Sequence, residues 1–249
     1  MNYGLENKIA LITGGSRGLG RVMIEEFKAQ GCTVIFGNRD AELGAKVAAE
    51  SGCEYVQFDL RDKGSIENLF KYVVDKYGRL DILVNNAAIT SSNQAPIDEL
   101  DPEYVVEAFT ANSLGTFHCM QEAIKVMKKQ ETKGCIVNIT SATTEHGGAG
   151  LAAYAASKTA INSMTGSAAN EYTQHGIRIN AVVCGVIATE GTMAFREASP
   201  EHYAAYCAGI PAKRTGEMAE FCKPVMWLCS DDASYVSGAM LRCDGGLNT

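Results

Sequence analysis

A tyrosine and a lysine, Tyr154 and Lys158, stand four residues apart in the run AAYAASKTAINSMTGSAANEY. The small residues around them suit a closely packed helix, on which positions i and i+4 share one face. A phenol titrates near pH ~10, so bringing it to neutrality takes about three units, or roughly 4 kcal/mol. An ammonium about 4 Å away supplies about 4 kcal/mol at an effective dielectric near ~20. The pair therefore predicts a general acid/base, Tyr154, whose pKa is lowered by Lys158. Spacing alone equally describes a chance pair on an amphipathic helix. Ser141 tips the balance: it lies thirteen residues before Tyr154, just after the strand-like run CIVNIT, where its hydroxyl could orient a carbonyl oxygen.

The frame for these groups is legible as alternation. KIALIT, CTVIFG, EYVQF, LDILV, CIVNI and IRINAVV are short apolar runs, separated by helical patterns to about Gln30, over 40–50, 63–77, within 103–130 and around Tyr154. A last helix over about 217–229 leads to a strand near 239–243. This is a βαβ rhythm, and near-continuous apolar strands belong to a parallel sheet covered on both faces. After the first strand comes Thr13-Gly14-Gly15-Ser16-Arg17-Gly18-Leu19-Gly20. Glycine there lets the backbone approach a pyrophosphate, and the next helix offers amide hydrogens and the positive end of its dipole.

At 249 residues and 46% hydrophobic content, the chain suffices for one sizeable core, so residues 1–249 are expected to form a single domain. A net charge of −7 and a pI near 5.2 argue against nucleic acid or an anionic membrane as main partner and favour a small molecule. Nine scattered cysteines without a CxxC read as free thiols in a reducing, cytoplasmic compartment, and no metal is expected from these spacings. The N-terminal apolar stretch is too short for a signal peptide or a membrane span.

With TGGSRGLG from Thr13 to Gly20, NNAA from Asn85 to Ala88, Asn112, Ser141 and the Tyr154/Lys158 pair in this order, the chain resembles the short-chain dehydrogenase/reductase family over nearly its whole length. The resemblance implies a Rossmann-type, doubly wound, seven-stranded parallel sheet in three α/β/α layers. It implies hydride transfer between a nicotinamide dinucleotide and a secondary alcohol/ketone pair. Tyr154 would exchange the proton with substrate oxygen, Lys158 would also bind the nicotinamide ribose, Ser141 would orient the carbonyl, and Asn112 would complete a proton relay. Cofactor contacts are implied at Gly14, Ser16, Arg17, Gly18, Leu19 and Gly20, at Asp59 and Leu60, at Asn86 and Ala87, and at Gly185, Ile187 and Thr189. Two departures stand out: the family's NNAG ends in Ala88, and its Pro-Gly after the sixth strand is Cys184-Gly185, which loosens one backbone constraint. Without a basic neighbour in sequence, Cys184 reads as a structural variant.

The second strand ends at Asn38-Arg39-Asp40, where an NAD-preferring member places a carboxylate at position 38. Neutral Asn38, with Arg39 and Arg17 converging on a 2′-phosphate, predicts NADP(H); in the NAD(H) alternative, Asp40 accepts the ribose hydroxyl. Residues about 186–215 fall where the resemblance puts a substrate-covering segment. Met193, Phe195, Tyr203, Tyr206 and Ile210 would wall an apolar pocket between hinges at Gly191 and Gly209, although a surface loop with one small amphipathic helix fits the same residues. Thr143, Glu145 and His146 are candidate substrate contacts or surface-loop residues. The apolar segment favours a bulky ketone or alcohol such as a hydroxysteroid or bile acid. The alternative is a 3-oxoacyl-(acyl carrier protein) reductase, against which Asn170 stands where such enzymes carry an arginine, with Lys128 and Lys129 compensating in part. A non-catalytic cofactor-sensing protein would share the fold. Trp227 and SGAMLRCDGG resemble the family's subunit-packing C-terminus, implying a homotetramer or homodimer.

Overall fold

Every apolar run read above as a strand is one in the computed structural model, which describes residues 2–89 and 94–248. β1 (Ile9–Thr13), β2 (Thr33–Asn38), β3 (Glu54–Gln57), β4 (Ile82–Asn85), β5 (Gly134–Ser141), β6 (Ile177–Cys184) and β7 (Met240–Cys243) pair in parallel, in the order 3-2-1-4-5-6-7. The pleat sends alternate side chains to opposite faces. Ala10, Ile12, Val34, Phe36 and Val84 pack under α1 (Gly18–Ala29) and α10 (Met218–Cys229) through Met23, Ile24, Phe27, Phe221 and Val225. Ile9, Leu11, Ile35, Leu83 and Ile136 face α3 (Lys63–Tyr77) and α5 (Thr116–Met127) through Ile66, Leu69, Met120 and Ala123. Leu11, Ile12 and Phe36 are fully buried, and burial of such a side chain stabilises by about 1.5–3 kcal/mol. These faces make the Rossmann-type three-layer fold, completed by α2 (Ala41–Ser51) beside β2 and α7 (Ala152–Tyr172) beside β5 and β6.

Strand order reverses between β1 and β4, so their C-terminal ends open a crevice where ligands of such sheets bind. The glycine turn, Asn86 and Gly185 follow strand ends on that edge, and Ser141 closes its strand there. Two elements differ from the periodicity reading. The helix expected within 103–130 is α4 (Pro102–Ala108), a π-helical stretch over Phe109–Gly115, and then α5. A widened turn keeps the hydrophobic spacing nearly intact, so the pattern does not betray it. The covering segment holds two helices, α8 (Glu190–Ala198) and α9 (Pro200–Gly209), where the surface-loop alternative had one; Pro200 begins the second.

Candidate active site

Ser141 closes β5, and Thr143 donates to its Oγ from its backbone nitrogen at 3.3 Å and its own hydroxyl at 3.0 Å. The Ser141 hydroxyl lies close enough to the Tyr154 phenol to favour its ionised form. Strand end and helix start thus meet as the spacing predicted. Lys158, one turn along α7, is 3% exposed and donates its Nζ to the Ile139 carbonyl at 2.9 Å. The electrostatics reverse one expectation. Although Tyr154 keeps partial exposure, the packing around it pushes the phenol up to about 12, outweighing the lowering by Ser141. Burial pulls Lys158 down to about 8. Desolvation penalises both charged forms, and the lysine nitrogen is engaged by Ile139, so Lys158 does not draw Tyr154 toward neutrality. A phenol near 12 keeps its proton through the neutral range, which is the form that donates to a carbonyl oxygen.

Asn112 lies in the π-helical stretch and is fully buried. Its Oδ1 accepts from Ile89 N at 2.8 Å, while its Nδ2 donates to Ile89 O at 3.1 Å and to Ser157 Oγ at 3.0 Å. Its side chain therefore ties the loop after β4 to α7, a role beyond the backbone relay that the resemblance implies. Cys184 replaces the family proline. Its carbonyl accepts from Ala142 N at 2.8 Å, holding the Ser141 turn, and burial pushes its thiol up to about 12. That shift suits the structural reading of the thiol.

The glycine turn fits a dinucleotide on three observations. Gly18 has φ +49° with open space where a Cβ would stand, and a Cβ on Gly20 would lie 2.0 Å from Gly14 O. Arg17 gives the start of α1 no side-chain cap, so the backbone from Ser16 to Leu19 keeps amides for a phosphate. Asn38, 9% exposed, donates Nδ2 to Asp40 O at 3.1 Å, and its buried Oδ1 has no partner. Thr13 Oγ1 accepts from Asn86 N at 3.1 Å and Ala87 N at 3.0 Å, and Asn86 Nδ2 donates to Thr13 O and Gly14 O at 3.0 and 3.2 Å, bracing the turn.

Several expected contacts have partners of their own. Arg17 pairs with Asp40 at 3.2 Å instead of standing free with exposed Arg39, and Asp40 also caps α2 by accepting from Leu43 N at 3.0 Å. Asp59 is forked by Arg61 at 2.8 and 3.1 Å, and that hydrogen bonding lowers its pKa. Leu60 is buried, with its carbonyl 2.3 Å from where a Cβ on Gly115 would stand. Gly185 packs on Asp244, 2.4 Å from Cβ position to Cα. Ile187 is buried and bridges to Gly216, with Ala188 N donating to Gly216 O and Gly216 N to Val186 O, both at 2.9 Å. Thr189 caps α8.

On the substrate side, Thr143 supports Ser141, whereas His146 is exposed at the end of α6 (Thr143–His146). Glu145 is taken by Arg242 of β7 in a two-pronged pair at 2.7 and 2.8 Å, which favours the surface-loop reading of the two. Phe195 stacks edge-on against Tyr203 and Tyr206, with centroids 6.2 and 6.4 Å apart, and Tyr203 bonds Thr215 through its hydroxyl at 3.0 Å. Met193 is half-buried and Ile210 buried. The sequence reading missed Ser157, which its place before Lys158 could have flagged. It also missed Asn248, whose Nδ2 donates to Ala142 O at 2.9 Å and which nothing in the pattern marks. Among the described residues no group of three or more His, Cys, Asp or Glu could hold a metal ion, and no helix is long and apolar enough to cross a membrane.

A doubly wound sheet with a glycine turn at its switch point and a Ser-Tyr-Lys corner beside it defines a Rossmann-type oxidoreductase architecture. Residues 14–248 match the family model described as enoyl-(acyl carrier protein) reductase. The chain is 34% identical to 3-oxoacyl-(acyl-carrier-protein) reductase FabG of Haemophilus influenzae, over 98% of this chain and 99% of that one. It is 33% identical to the short chain dehydrogenase/reductase astE of Aspergillus oryzae, over 99% and 97%. The crystal structure of levodione reductase superposes with a TM-score of 0.89 at 30% identity, covering 97% of each chain. The chain belongs to the short-chain dehydrogenase/reductase family, and is an oxidoreductase of that family.

Proposed function

We propose that this protein is an NADP(H)-dependent ketone reductase. One juxtaposition carries the reading: Tyr154, held as a protonated phenol, lies beside Ser141 at the crevice edge one turn from Lys158. The nicotinamide, when bound, supplies the hydride. Tyr154 gives its proton to the carbonyl oxygen, Ser141 orients that oxygen, Lys158 holds the ribose, and Asn112 keeps the relay in place. Gly14 to Gly20, Asn86 and Ala87 would cradle the phosphates, with Ile187 and Thr189 near the ring. NADP(H) is favoured over NAD(H) because the Arg17–Asp40 pair is exposed on both sides. Such surface pairs are worth at most about 1 kcal/mol, so a 2′-phosphate displaces Asp40 and gains Arg39 as well.

For substrate, a 3-oxoacyl thioester on a carrier protein now comes before the hydroxysteroid or bile acid expected from the apolar segment, since several FabG relatives align over nearly the whole chain. A bulky apolar ketone is the second reading, favoured by the partly exposed Phe195–Tyr203–Tyr206 cluster and by likeness to a levodione reductase. A soluble cytoplasmic enzyme assembled as a homotetramer or homodimer fits the family. The test is loss of reduced-nicotinamide absorbance with NADPH and with NADH, across 3-oxoacyl thioesters, diketones and steroids. NADPH oxidation with the thioesters is expected. Oxidation of NADH alone, or of neither cofactor with any ketone, would overturn the cofactor or the reaction.

A further inference from the structure

We propose that Ser157 is a positioning residue that fixes Tyr154 for proton donation, an inference that rests on Tyr154 being the proton donor. Tyr154 sits in the first turn of α7, and Leu151, which precedes the helix, contributes no side-chain cap. First turns fray, because their amide groups have no partner within the helix. A catalytic side chain there needs an anchor from elsewhere, since displacing it by about 1 Å costs on the order of 10²-fold in rate.

The anchor runs through Ser157, which is 0% exposed. Its Oγ donates to Tyr154 O at 2.8 Å and accepts from Asn112 Nδ2 at 3.0 Å. Ser113 Oγ donates to Ser157 O at 2.9 Å from the same π-helical stretch as Asn112. Asn112 is in turn locked to both backbone atoms of Ile89. The direction of each hydrogen bond is consistent along the chain from Asn112 to Ser157 to Tyr154. Two elements remote in sequence thereby set the backbone from which the phenol projects toward Ser141. A hydroxyl of this kind one position before Lys158 is both small enough for the buried site and able to donate and accept at once.

The test compares Ser157→Ala with Thr165→Ala in the full chain. Thr165 is a matched control on the same helix: its Oγ1 donates to Ile161 O at 2.7 Å and accepts from Asn138 Nδ2 at 2.8 Å. Reductase rate with NADPH is followed against pH, alongside thermal unfolding. Both variants are expected to lose stability. Only Ser157→Ala is expected to lower kcat, by about 10-fold, with the KM for NADPH within about twofold of wild type. It should also move the apparent pKa of kcat by ~0.5 unit or more, because the contacts that set the ionisation of Tyr154 are disturbed. Ser157→Cys, of similar size and weaker hydrogen bonding, should restore part of the rate, and it carries the same comparison if Ser157→Ala fails to fold. A Ser157 variant with the wild-type kcat and pH profile, or an equal shift in Thr165→Ala, overturns the positioning role while leaving Tyr154 as donor. Full activity in Tyr154→Phe overturns the donor and the positioning role together.

Discussion

The catalytic corner and the α8–α9 segment lie on the same edge of the sheet and are built in opposite ways. At the corner, Asn112, Ser157 and Lys158 are almost completely buried and each is hydrogen-bonded to a different element. In the covering segment α8 has no buried residue, and Phe195 and Tyr206 remain 41% and 49% exposed. Chemistry that depends on a hydroxyl's position requires a closed polar network, whereas recognition of an apolar shape needs surface that can repack. On the proposed reading, the first region sets reaction type and the second sets substrate choice.

The strongest way to break this division is at Tyr154. Tyr154→Phe removes only the transferable proton and should lower kcat by at least ~10²-fold, with NADPH affinity nearly unchanged in a fluorescence titration. Lys158→Ala should be worse in both respects; unchanged cofactor affinity would contradict its ribose contact.

Next in size is the covering segment. The double variant Phe195→Ala/Tyr206→Ala should raise KM about 10-fold for the best apolar ketone and change kcat by less than about threefold. A collapse of kcat like that of Tyr154→Phe would erase the distinction between the two regions. Cofactor choice should shift comparably. Asn38→Asp with Arg39→Ile should reverse the preference for NADPH over NADH, measured as the ratio of kcat/KM values, because a carboxylate repels the phosphate and a cation is lost.

The smallest effect concerns stability. Burial lowers Lys158 from 10.5 to about 8. Below about pH 8 both folded and unfolded chains carry the ammonium, and the folded state bears its full desolvation cost. Between about 8 and 10.5 the unfolded chain holds a proton that the folded chain has lost, so this group's contribution improves as pH rises. The stability advantage of Lys158→Met over wild type, from denaturant midpoints, should therefore be largest near neutrality and shrink toward pH ~10. Buried thiols such as Cys222, pushed up to about 12 by burial and by Glu26 and Cys243, act in the opposite sense and cancel in the difference. An advantage independent of pH would contradict the lowered pKa.

Much of the frame was legible because strands buried on both faces leave unbroken apolar runs, and because Gly20 marks a close backbone approach that a side chain would block and Gly18 a left-handed turn that strains one. Ser141 and Tyr154 were legible as partners because a strand end and a helix start are joined by a short connection. The π-helical stretch was not, since it alters hydrogen bonding without altering which residues are apolar. Nor were the pairs Arg17–Asp40 and Glu145–Arg242, or the reach of Asn248 to Ala142: charge and amide groups choose partners through folding, and sequence spacing carries no trace of those choices. The sign of the Tyr154 shift failed for a related reason, because a pair energy in a uniform medium omits the cost of drying both groups.

The bridge between Ile187 and Gly216 has a bearing on how such a protein can change over generations. Because hydrogen bonds pin the two feet of the covering segment together, α8 and α9 hang from a closed clasp and not from two independent anchors. Doubling the length of a closed loop costs only about 0.6 kcal/mol in chain entropy. Insertions between α8 and α9 are therefore expected to leave Ser141 and Tyr154 in place. On the proposed reading the segment is a separable unit, and a graft of the corresponding stretch from a relative with another substrate is the natural redesign.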